Sequence, residues 1–339
     1  MKIVAGLGSI DEYIKFAEAG ADEFFCGYVP YSWSKKYGTV LPLNRREVLC
    51  YNVQLGAFSE LEILSGMMKK YEKPVHLTFN SLYYIPEQYP EIAGIISQCI
   101  KIGFHSYIIA DPALMVYLRE NGINCEIHLS GECGEINSQM VASLEKLGLK
   151  RVIFHRKNTF EDMKAVVDKC GKKDGTEGVS EFEAFVLNEM CQFTGAFCNS
   201  LHCDEMGYLC KVPYQIGTLK TGNAGSEIFN QEINGGHLLP DGFVPDDFHS
   251  LHDFSYDSAG YLCGETGCGL CALYQLKQAG ITHLKLVGRG NYTDYMEKDI
   301  RNLRMALNIL RESVDEMEFR RKLKLQIFPR GCSRNCYYR

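Results

Sequence analysis

The feature that most constrains the fold is an alternation of short apolar segments with amphipathic helical patterns. Eight segments are rich in β-branched and aromatic residues and have the length of buried strands. They comprise residues 2–5, 21–27, 74–80, 106–110, 125–130, 151–155, 181–187 and 283–288. Helical patterns separate them, and several end at a glycine suited to a helix C-terminus, such as Gly20, Gly103 and Gly148. This alternation predicts a parallel sheet with right-handed crossovers.

Eight strand–helix units predict an α/β fold, specifically a closed (β/α)8 TIM-like barrel. An open doubly wound sheet is the alternative. A long Cys-rich insertion follows the seventh strand, and its length exceeds that of ordinary connections, so we expect it to be a functional subdomain. The expected organisation is barrel strands 1–7 in residues 1–187, the insertion in 188–270, the last helix, strand and helix in 271–318, and a Cys-containing tail in 319–339. We expect residues 294–317 to form one helix and residues 322–328 to be extended.

The chain has 15 cysteines, and their uneven distribution indicates metal chemistry. Nine of them are bunched in the second half of the chain. They are Cys191, Cys198, Cys203, Cys210, Cys263, Cys268, Cys271, Cys332 and Cys336. The N-terminal residues do not resemble an export signal, so we expect a cytoplasmic protein whose thiols stay reduced. Reduced thiols in such bunches favour metal binding or catalysis over disulfides.

Barrel geometry predicts that two distant cysteines are neighbours. Cys191 follows the seventh strand closely, and Cys271 begins the next helical pattern, so both belong at the rim where the C-terminal ends of the strands open. Cys198 and Cys210 come from the insertion between them, and Cys203, Cys263, Cys268, Cys332 and Cys336 are further candidates. A helix N-terminus favours the thiolate form. Four gathered thiolates would hold an iron–sulfur cluster, with zinc as the alternative.

Polar residues at the predicted strand ends are candidates for substrate chemistry at the same rim. His128 and His155 are candidate catalytic acid–base residues. Arg156, Asn80 and Asp111 are candidate substrate-binding residues. Arg289 follows the eighth strand and precedes a helix, where barrels often bind phosphate or carboxylate.

Composition and missing motifs exclude several classes of protein. The formal net charge of -6 argues against a sequence-independent hold on nucleic acid over the whole surface. No apolar run approaches the roughly 18 to 20 residues of a membrane span, so we expect no membrane association. A nucleophile elbow, an HExxH helix and a Walker loop are all absent from the sequence, which removes the most easily recognised hydrolases and nucleotidases.

Four blocks of the sequence resemble, in order, the collagenase-like U32 peptidase family. They are the opening segment MKIVAGLGSIDEYIKFAEAGADEFFCG, the pair YIIADPALMVYLRE and CEIHLSGECGEINS, the signature segment EFEAFVLNEMCQFTGAFCNS, and the late block CGLCALYQLKQAGITHLKLVGRGNYTDYMEKDI. The resemblance covers residues 1 to about 315, with residues 211–262 poorly matched. It implies a barrel fold.

The resemblance also implies a cofactor and two competing activities. Several members of the family are oxygen-independent hydroxylation proteins that act on ubiquinone precursors or RNA bases, carry a 4Fe-4S cluster on four cysteines, and in some cases use prephenate as the oxygen donor. Cys191, Cys198 and Cys271 match the pattern, and Cys210 is the best match for the third ligand, with Cys203 as a competitor. Cys263, Cys268 and the segment FPRGCSRNCYYR are additional to it.

We therefore expect an iron–sulfur enzyme that acts on a small molecule or RNA, with a redox partner and a homo- or heterodimer as further candidates. The alternatives are a peptidase of the U32 type and a non-catalytic, cluster-bearing partner subunit.

Overall fold

The chain forms a closed eight-stranded parallel barrel. The computed structural model describes residues 1–38, 40–45, 53–134, 136–173, 178–191 and 256–338. Within these residues the strands pair in sequence order and β8 closes on β1. The strands are β1 (Lys2–Leu7), β2 (Glu23–Gly27), β3 (Val75–Phe79), β4 (Ser106–Ile109), β5 (Glu126–Leu129), β6 (Leu149–Ile153), β7 (Glu181–Leu187) and β8 (His283–Leu286). The predicted (β/α)8 barrel is confirmed, and the open sheet is not formed.

Helices on the outside connect the strands. They are α1 (Glu12–Ala19), α2 (Tyr31–Tyr37), α3 (Phe58–Tyr71), α4 (Gln88–Lys101), α5 (Pro112–Glu120), α6 (Ser138–Leu144), α7 (Phe160–Cys170), α8 (Leu273–Gln278), α9 (Thr293–Arg311) and α10 (Glu316–Ile327). None of the helices in the described residues is long and apolar enough to cross a bilayer. The division of the chain into four segments stays a prediction, because residues 192–255 lie outside the described part.

Local sequence signals set the ends of these helices. Thr159 begins α7 by accepting a hydrogen bond from the Asp162 backbone N–H, and the Asp162 carboxylate accepts one from the Thr159 N–H. This reciprocal capping satisfies two backbone donors that the first turn leaves unpaired. At the other end of α1, Gly20 has φ of 115°, which an L-residue adopts only with strain.

Strand alternation divides the buried side chains between two environments. On every strand, successive side chains point outward to the helices or inward to the barrel axis. The outward residues and the inner faces of the helices form the main hydrophobic core, to which Phe16, Leu77 and Leu303 belong. The inward residues form a second, smaller apolar cluster at the C-terminal half of the barrel and a charged layer below it.

The C-terminal region corrects two predictions. The expected single helix over residues 294–317 is two helices, since α9 ends at Arg311 and the Asp315 carboxylate caps α10 by accepting from the Glu318 N–H at 2.8 Å. Residues 322–328, expected to be extended, continue α10 as far as Ile327. The alternation of lysine and leucine there mimics a strand, but Phe319 and Leu323 are four residues apart and both buried, which is the helical spacing.

Candidate active site at the barrel mouth

A cavity opens at the C-terminal ends of the strands, and we call it the mouth cavity. Its floor is the apolar cluster inside the barrel, to which Phe25, Ile108, Ile153, Phe185 and Val287 belong. The polar residues of its wall are Arg45, Thr78, Asn80, Ser130, Glu132, Arg156, Glu189, Lys285 and Arg289. Active sites of this fold lie at this end, because loops from all eight strands converge there.

The wall of the mouth cavity is rich in cations. Arg45, Arg156, Lys285 and Arg289 line it together with two carboxylates, Glu132 and Glu189. Lys285 is paired with Glu183 below the cavity, so the three arginines exceed the two carboxylates by one positive charge. Such a cavity favours an anionic ligand, and guanidinium groups bind carboxylates and phosphates with two parallel hydrogen bonds.

Arg289 reaches the cavity because two strand residues lack side chains. A Cβ atom on Gly27 would lie 2.8 Å from Nη1 of Arg289, and one on Gly6 would lie 3.0 Å from its Cγ. The guanidinium carbon also lies 5.7 Å from the centre of the Phe25 ring. The glycines on β1 and β2 therefore give the Arg289 side chain room to cross the top of the barrel.

Arg156 is held by aromatic rings. Its guanidinium carbon lies 3.9 Å from the centre of the Phe185 ring and 5.9 Å from that of Tyr337, which comes from the C-terminal segment. Stacking of this kind fixes the plane of a guanidinium group while its edge stays available to a ligand. The C-terminal segment is therefore part of the wall of the site.

Asn80 and Arg45 are positioned together. The Arg45 backbone N–H donates to Oδ1 of Asn80 at 3.2 Å, and Nε of Arg45 lies 3.2 Å from a carboxylate oxygen of Glu132. The loop after β2 thereby brings a cation to the loops after β3 and β5. Lys285 enters from below: its ammonium donates to Glu183 at 2.8 Å and lies 3.7 Å from the centre of the Phe25 ring.

Below the apolar floor lies a charged layer, defined by Glu23, His76, His128, Arg151, Glu183 and His283. Arg151 donates to Glu23 at 2.6 Å and to Glu183 at 2.7 Å. His76 and His283 approach the other sides of the Glu23 carboxylate at 3.0 and 3.3 Å. Burial alone would raise the pKa of Glu183, but Lys285 and Arg151 outweigh it and lower that pKa to about 2. The residues of the layer come from six strands, and their hydrogen bonds and ion pairs join five of these strands.

The structure places the two candidate catalytic histidines outside the mouth cavity. His128 is buried in the charged layer with its ring 4.6 Å from that of His76, and burial lowers its pKa well below the usual value. His155 lies beyond the end of β6, where its Nδ1 accepts from the Lys157 N–H at 3.3 Å, and burial lowers its pKa to about 4. Both rings are therefore neutral near pH 7, and a catalytic role for either stays a prediction.

Three of the four predicted binding residues line the mouth cavity, and the fourth does not. Asn80, Arg156 and Arg289 line the mouth cavity. Asp111 does not. Its carboxylate caps α5 by accepting from the Ala113 N–H at 2.8 Å and binds the Tyr89 hydroxyl at 2.9 Å. Sequence reasoning did not identify Arg45 or Lys285, although the inward register of Lys285, two residues after His283 on β8, is a signal that alternation provides.

Five of the described cysteines lie beside the mouth cavity, on two adjoining surfaces. Cys268, Cys271, Cys332 and Cys336 line one cavity, which we call the thiol cavity. Cys191 lines a neighbouring groove that shares Cys336 and Tyr338 with it. Cys271 lies in a 3-10 turn, Leu270–Ala272, immediately before α8. Cys191 and Cys271 thus lie on neighbouring surfaces at one rim.

The remaining candidate cysteines either lie elsewhere in the structure or fall outside its described residues. Cys263 is buried beside Tyr261 and Asp299 and interacts electrostatically with Cys268, but it does not line the thiol cavity. Cys198, Cys203 and Cys210 lie outside the described residues.

The thiol donors suit a soft metal or an iron–sulfur cluster. Among the described residues no three Cys, His, Asp or Glu side chains converge on the position of one metal ion. A cluster places several iron atoms between its thiolates, so their sulfurs stand further apart than around one ion. The donor set is therefore compatible with a cluster.

Comparison with known proteins gives both a family and a relative of named function. Over residues 8–339 the chain matches the family described as peptidase family U32. The tRNA hydroxylation protein P of Escherichia coli (strain K12) is 27% identical over 119 residues, which are 35% of this chain and 24% of that protein. The match thus spans about a quarter of the length of this relative.

Solved structures were also compared. The U32 peptidase Mk0906 is 13% identical with a TM-score of 0.41, covering 55% of this chain and 69% of that one. The native KDPGal structure is 8% identical with a TM-score of 0.42, covering 92% and 97%. Since the family match extends over residues 8–339 of the 339, the chain belongs to peptidase family U32.

Proposed function

We propose that the chain is an iron–sulfur enzyme that hydroxylates a small molecule or an RNA base without molecular oxygen. The observation that carries the proposal is the mouth cavity, whose excess of cations lies beside a group of cysteines. The name of the tRNA hydroxylation relative supports an RNA base as one substrate. Peptidase activity, which the family name suggests, is the competing function.

In this proposal the chain's own residues bind and orient an anionic oxygen donor. Arg289 and Arg156 approach the cavity from different strands, so together they would bind a donor with two carboxylates, such as the prephenate that the family resemblance implies. Asn80 would accept or donate one hydrogen bond to the donor's hydroxyl. The apolar floor of Phe25 and Phe185 would exclude water from the reacting carbon.

The reaction balances as an exchange between donor and substrate. The donor's C–O bond breaks, and the substrate's C–H bond is replaced by C–OH, so the substrate is oxidised by two electrons and the donor is reduced by two with gain of the hydrogen. A cluster on Cys191, Cys198, Cys210 and Cys271, with Cys203 as the competing ligand, would supply the one-electron chemistry that such an exchange needs.

The test begins with protein purified without oxygen. We expect iron and acid-labile sulfide in matching amounts and a brown colour, and Cys191→Ser and Cys198→Ser should each lower the iron and sulfide by about one cluster because that cluster loses a ligand. Cys26→Ser, a buried thiol on β2, is the matched control and should leave the colour unchanged. Zinc in place of iron in the purified protein would contradict the cofactor.

The second part of the test separates hydroxylation from proteolysis. Loaded protein is incubated with prephenate and tRNA from cells that lack the gene, and digested nucleosides are examined by mass spectrometry for the gain of one oxygen atom. Arg289→Gln should abolish the gain, whereas Arg301→Gln, exposed on α9, should not. We expect no cleavage of gelatin or casein. Cleavage by protein that has lost its iron would establish the peptidase instead.

A further inference from the structure

The C-terminal segment is joined to the loop that precedes α8 by a continuous set of backbone contacts. The Cys268 N–H donates to the Asn335 carbonyl at 2.7 Å, and the Tyr337 N–H donates to the Cys268 carbonyl at 2.9 Å. The Ser333 hydroxyl donates to the Gly264 carbonyl at 2.7 Å. Cys336 and Cys268 therefore form an isolated parallel bridge between the two segments.

This pairing brings two cysteine pairs of the sequence to one place. Cys268 and Cys271 have the CxxC spacing, and Cys332 and Cys336 are separated by three residues. Cys268 and Cys336 are direct bridge partners, and all four thiols line the thiol cavity between the two segments. CxxC pairs that face a second closely spaced pair across a gap are the usual arrangement of four-thiolate metal sites.

The surroundings of the thiol cavity suit a negatively charged metal–thiolate centre. Arg334 lies in its wall, and Arg320 and Lys324 of α10 are near Cys271. Phe328 and Tyr338 close the cavity with apolar surface. The cationic neighbours stabilise thiolates, and the apolar neighbours limit the access of solvent.

We propose that Cys268, Cys271, Cys332 and Cys336 bind an iron–sulfur cluster, which fastens the C-terminal segment to the barrel. The site goes beyond the proposed function, since it needs no residue of 192–255 and no turnover. It assigns Cys271 to the fastening site, and the catalytic cluster would then take Cys203 as a ligand beside Cys191, Cys198 and Cys210.

The centre would also influence the mouth cavity. Tyr337 and Tyr338 follow the last cysteine directly, and the Tyr338 hydroxyl donates to the Phe185 carbonyl at 2.7 Å. Tyr337 lies beside Arg156 and packs on the apolar floor. Release of the segment would remove one of the two rings that hold Arg156, so that the fastening site positions a binding residue of the active site.

The experiment measures iron, zinc and acid-labile sulfide in the full chain purified without oxygen. The Cys332→Ser/Cys336→Ser variant should lose about four iron atoms with matching sulfide, which is one cluster. Cys191→Ser should keep this centre. Cys125→Ser, at the opposite end of the barrel, is the matched control and should keep the full metal content.

A second measurement uses the unaltered chain, so that a folding defect in the variant does not obscure the result. Removal of metal with a chelator should increase backbone hydrogen exchange in residues 332–338 at least tenfold and leave β1 to β6 unchanged. Full metal content in the double variant, or unchanged exchange after chelation, would overturn the proposal. Loss of iron only in Cys191→Ser would overturn it while leaving the proposed function intact, whereas loss of the centre in the double variant with no loss of iron in Cys191→Ser would do the reverse.

Discussion

The barrel interior contains two polar regions that differ in how their charges are compensated. In the charged layer, Arg151 is bonded to Glu23 and Glu183, and each carboxylate has further cationic or histidine partners. In the mouth cavity, four cations face two carboxylates around a space open to a ligand. Lys285 belongs to both regions, since it lines the mouth cavity while donating to Glu183 below.

This difference predicts that one region mainly affects the stability of the fold and the other mainly affects ligand binding. Buried charges are tolerated when each has a partner with good geometry, and removal of one partner leaves the others buried and uncompensated. Charged groups that line an open cavity are hydrated until a ligand replaces the water. Their removal should therefore change the affinity for the ligand more than the free energy of unfolding. The charged layer should therefore dominate the free energy of unfolding, and the mouth cavity should dominate the affinity for anions.

The largest expected effect comes from Arg151→Met. The change leaves the carboxylates of Glu23 and Glu183 without their guanidinium, and we expect a loss of about 3 to 5 kcal/mol in the free energy of unfolding. Urea denaturation followed by circular dichroism measures it. Arg301→Met is the control, because Arg301 forms an exposed ion pair with Glu297 on one helix and should cost less than about 0.5 kcal/mol. Equal losses of unfolding free energy in Arg151→Met and Arg301→Met would show that the charged layer does not dominate the stability of the fold.

Next in size is the effect of Arg289→Ala on anion binding. Loss of a charge-assisted contact should weaken the binding of a dicarboxylate by about 1.5 to 3 kcal/mol. Isothermal titration calorimetry with prephenate measures it, and the iron content should stay the same. Arg301→Ala should bind as the unaltered chain does. A large fall in unfolding free energy with unchanged affinity would assign Arg289 a structural role.

The charged layer should make the free energy of unfolding depend on pH. Burial lowers the pKa of His128 below its ordinary 6.5, so its neutral form stabilises the fold above that pH, and this contribution is lost as the pH falls. The pKa of Glu183 is lowered from 4.5 to about 2, so its contribution is complete above 4.5 and lost towards 2. Unfolding free energy should therefore fall in two stages on acidification. Denaturation of His128→Gln should show a weaker first stage, and an unchanged first stage would show that His128 is not its source.

The smallest expected effect is that of Gly27→Ala. The added Cβ would lie 2.8 Å from Nη1 of Arg289, so the guanidinium must shift, and a flexible side chain does so at little cost in stability. Anion affinity should fall a few-fold while stability changes by less than about 1 kcal/mol. Gly94→Ala, in α4 with no atom within 4 Å of the added carbon, should stabilise by about 0.5 to 1 kcal/mol and leave affinity unchanged. Identical anion affinities in the Gly27→Ala and Gly94→Ala variants would show that Gly27 does not contribute to anion binding.

The sequence alone predicted the eight strands, the barrel and part of the site. Periodicity and glycine at helix ends are local signals, so β7 was predicted with its observed bounds, Glu181–Leu187. Position after a strand also brought Asn80, Arg156 and Arg289 to the mouth cavity. The same reasoning placed His155 at the end of β6, but the strand ends two residues earlier, at Ile153, and His155 turns away into the loop. A shift of one or two residues changes which side chains face the cavity.

Only the tertiary structure decided the contacts between distant parts of the chain. Arg151 pairs with Glu23 across 128 residues, and the register of two strands has to be known before that pair can be inferred. The alternating lysines and leucines of residues 322–325 are locally consistent with a strand, and burial of Leu323 in the main core, where α10 contacts α8 and α9, selects the helix. The same helix carries Cys332 and Cys336 back to Cys268 and Cys271. Hydrophobic periodicity encodes which face of an element is buried, whereas the partner it is buried against depends on the closure of the whole barrel.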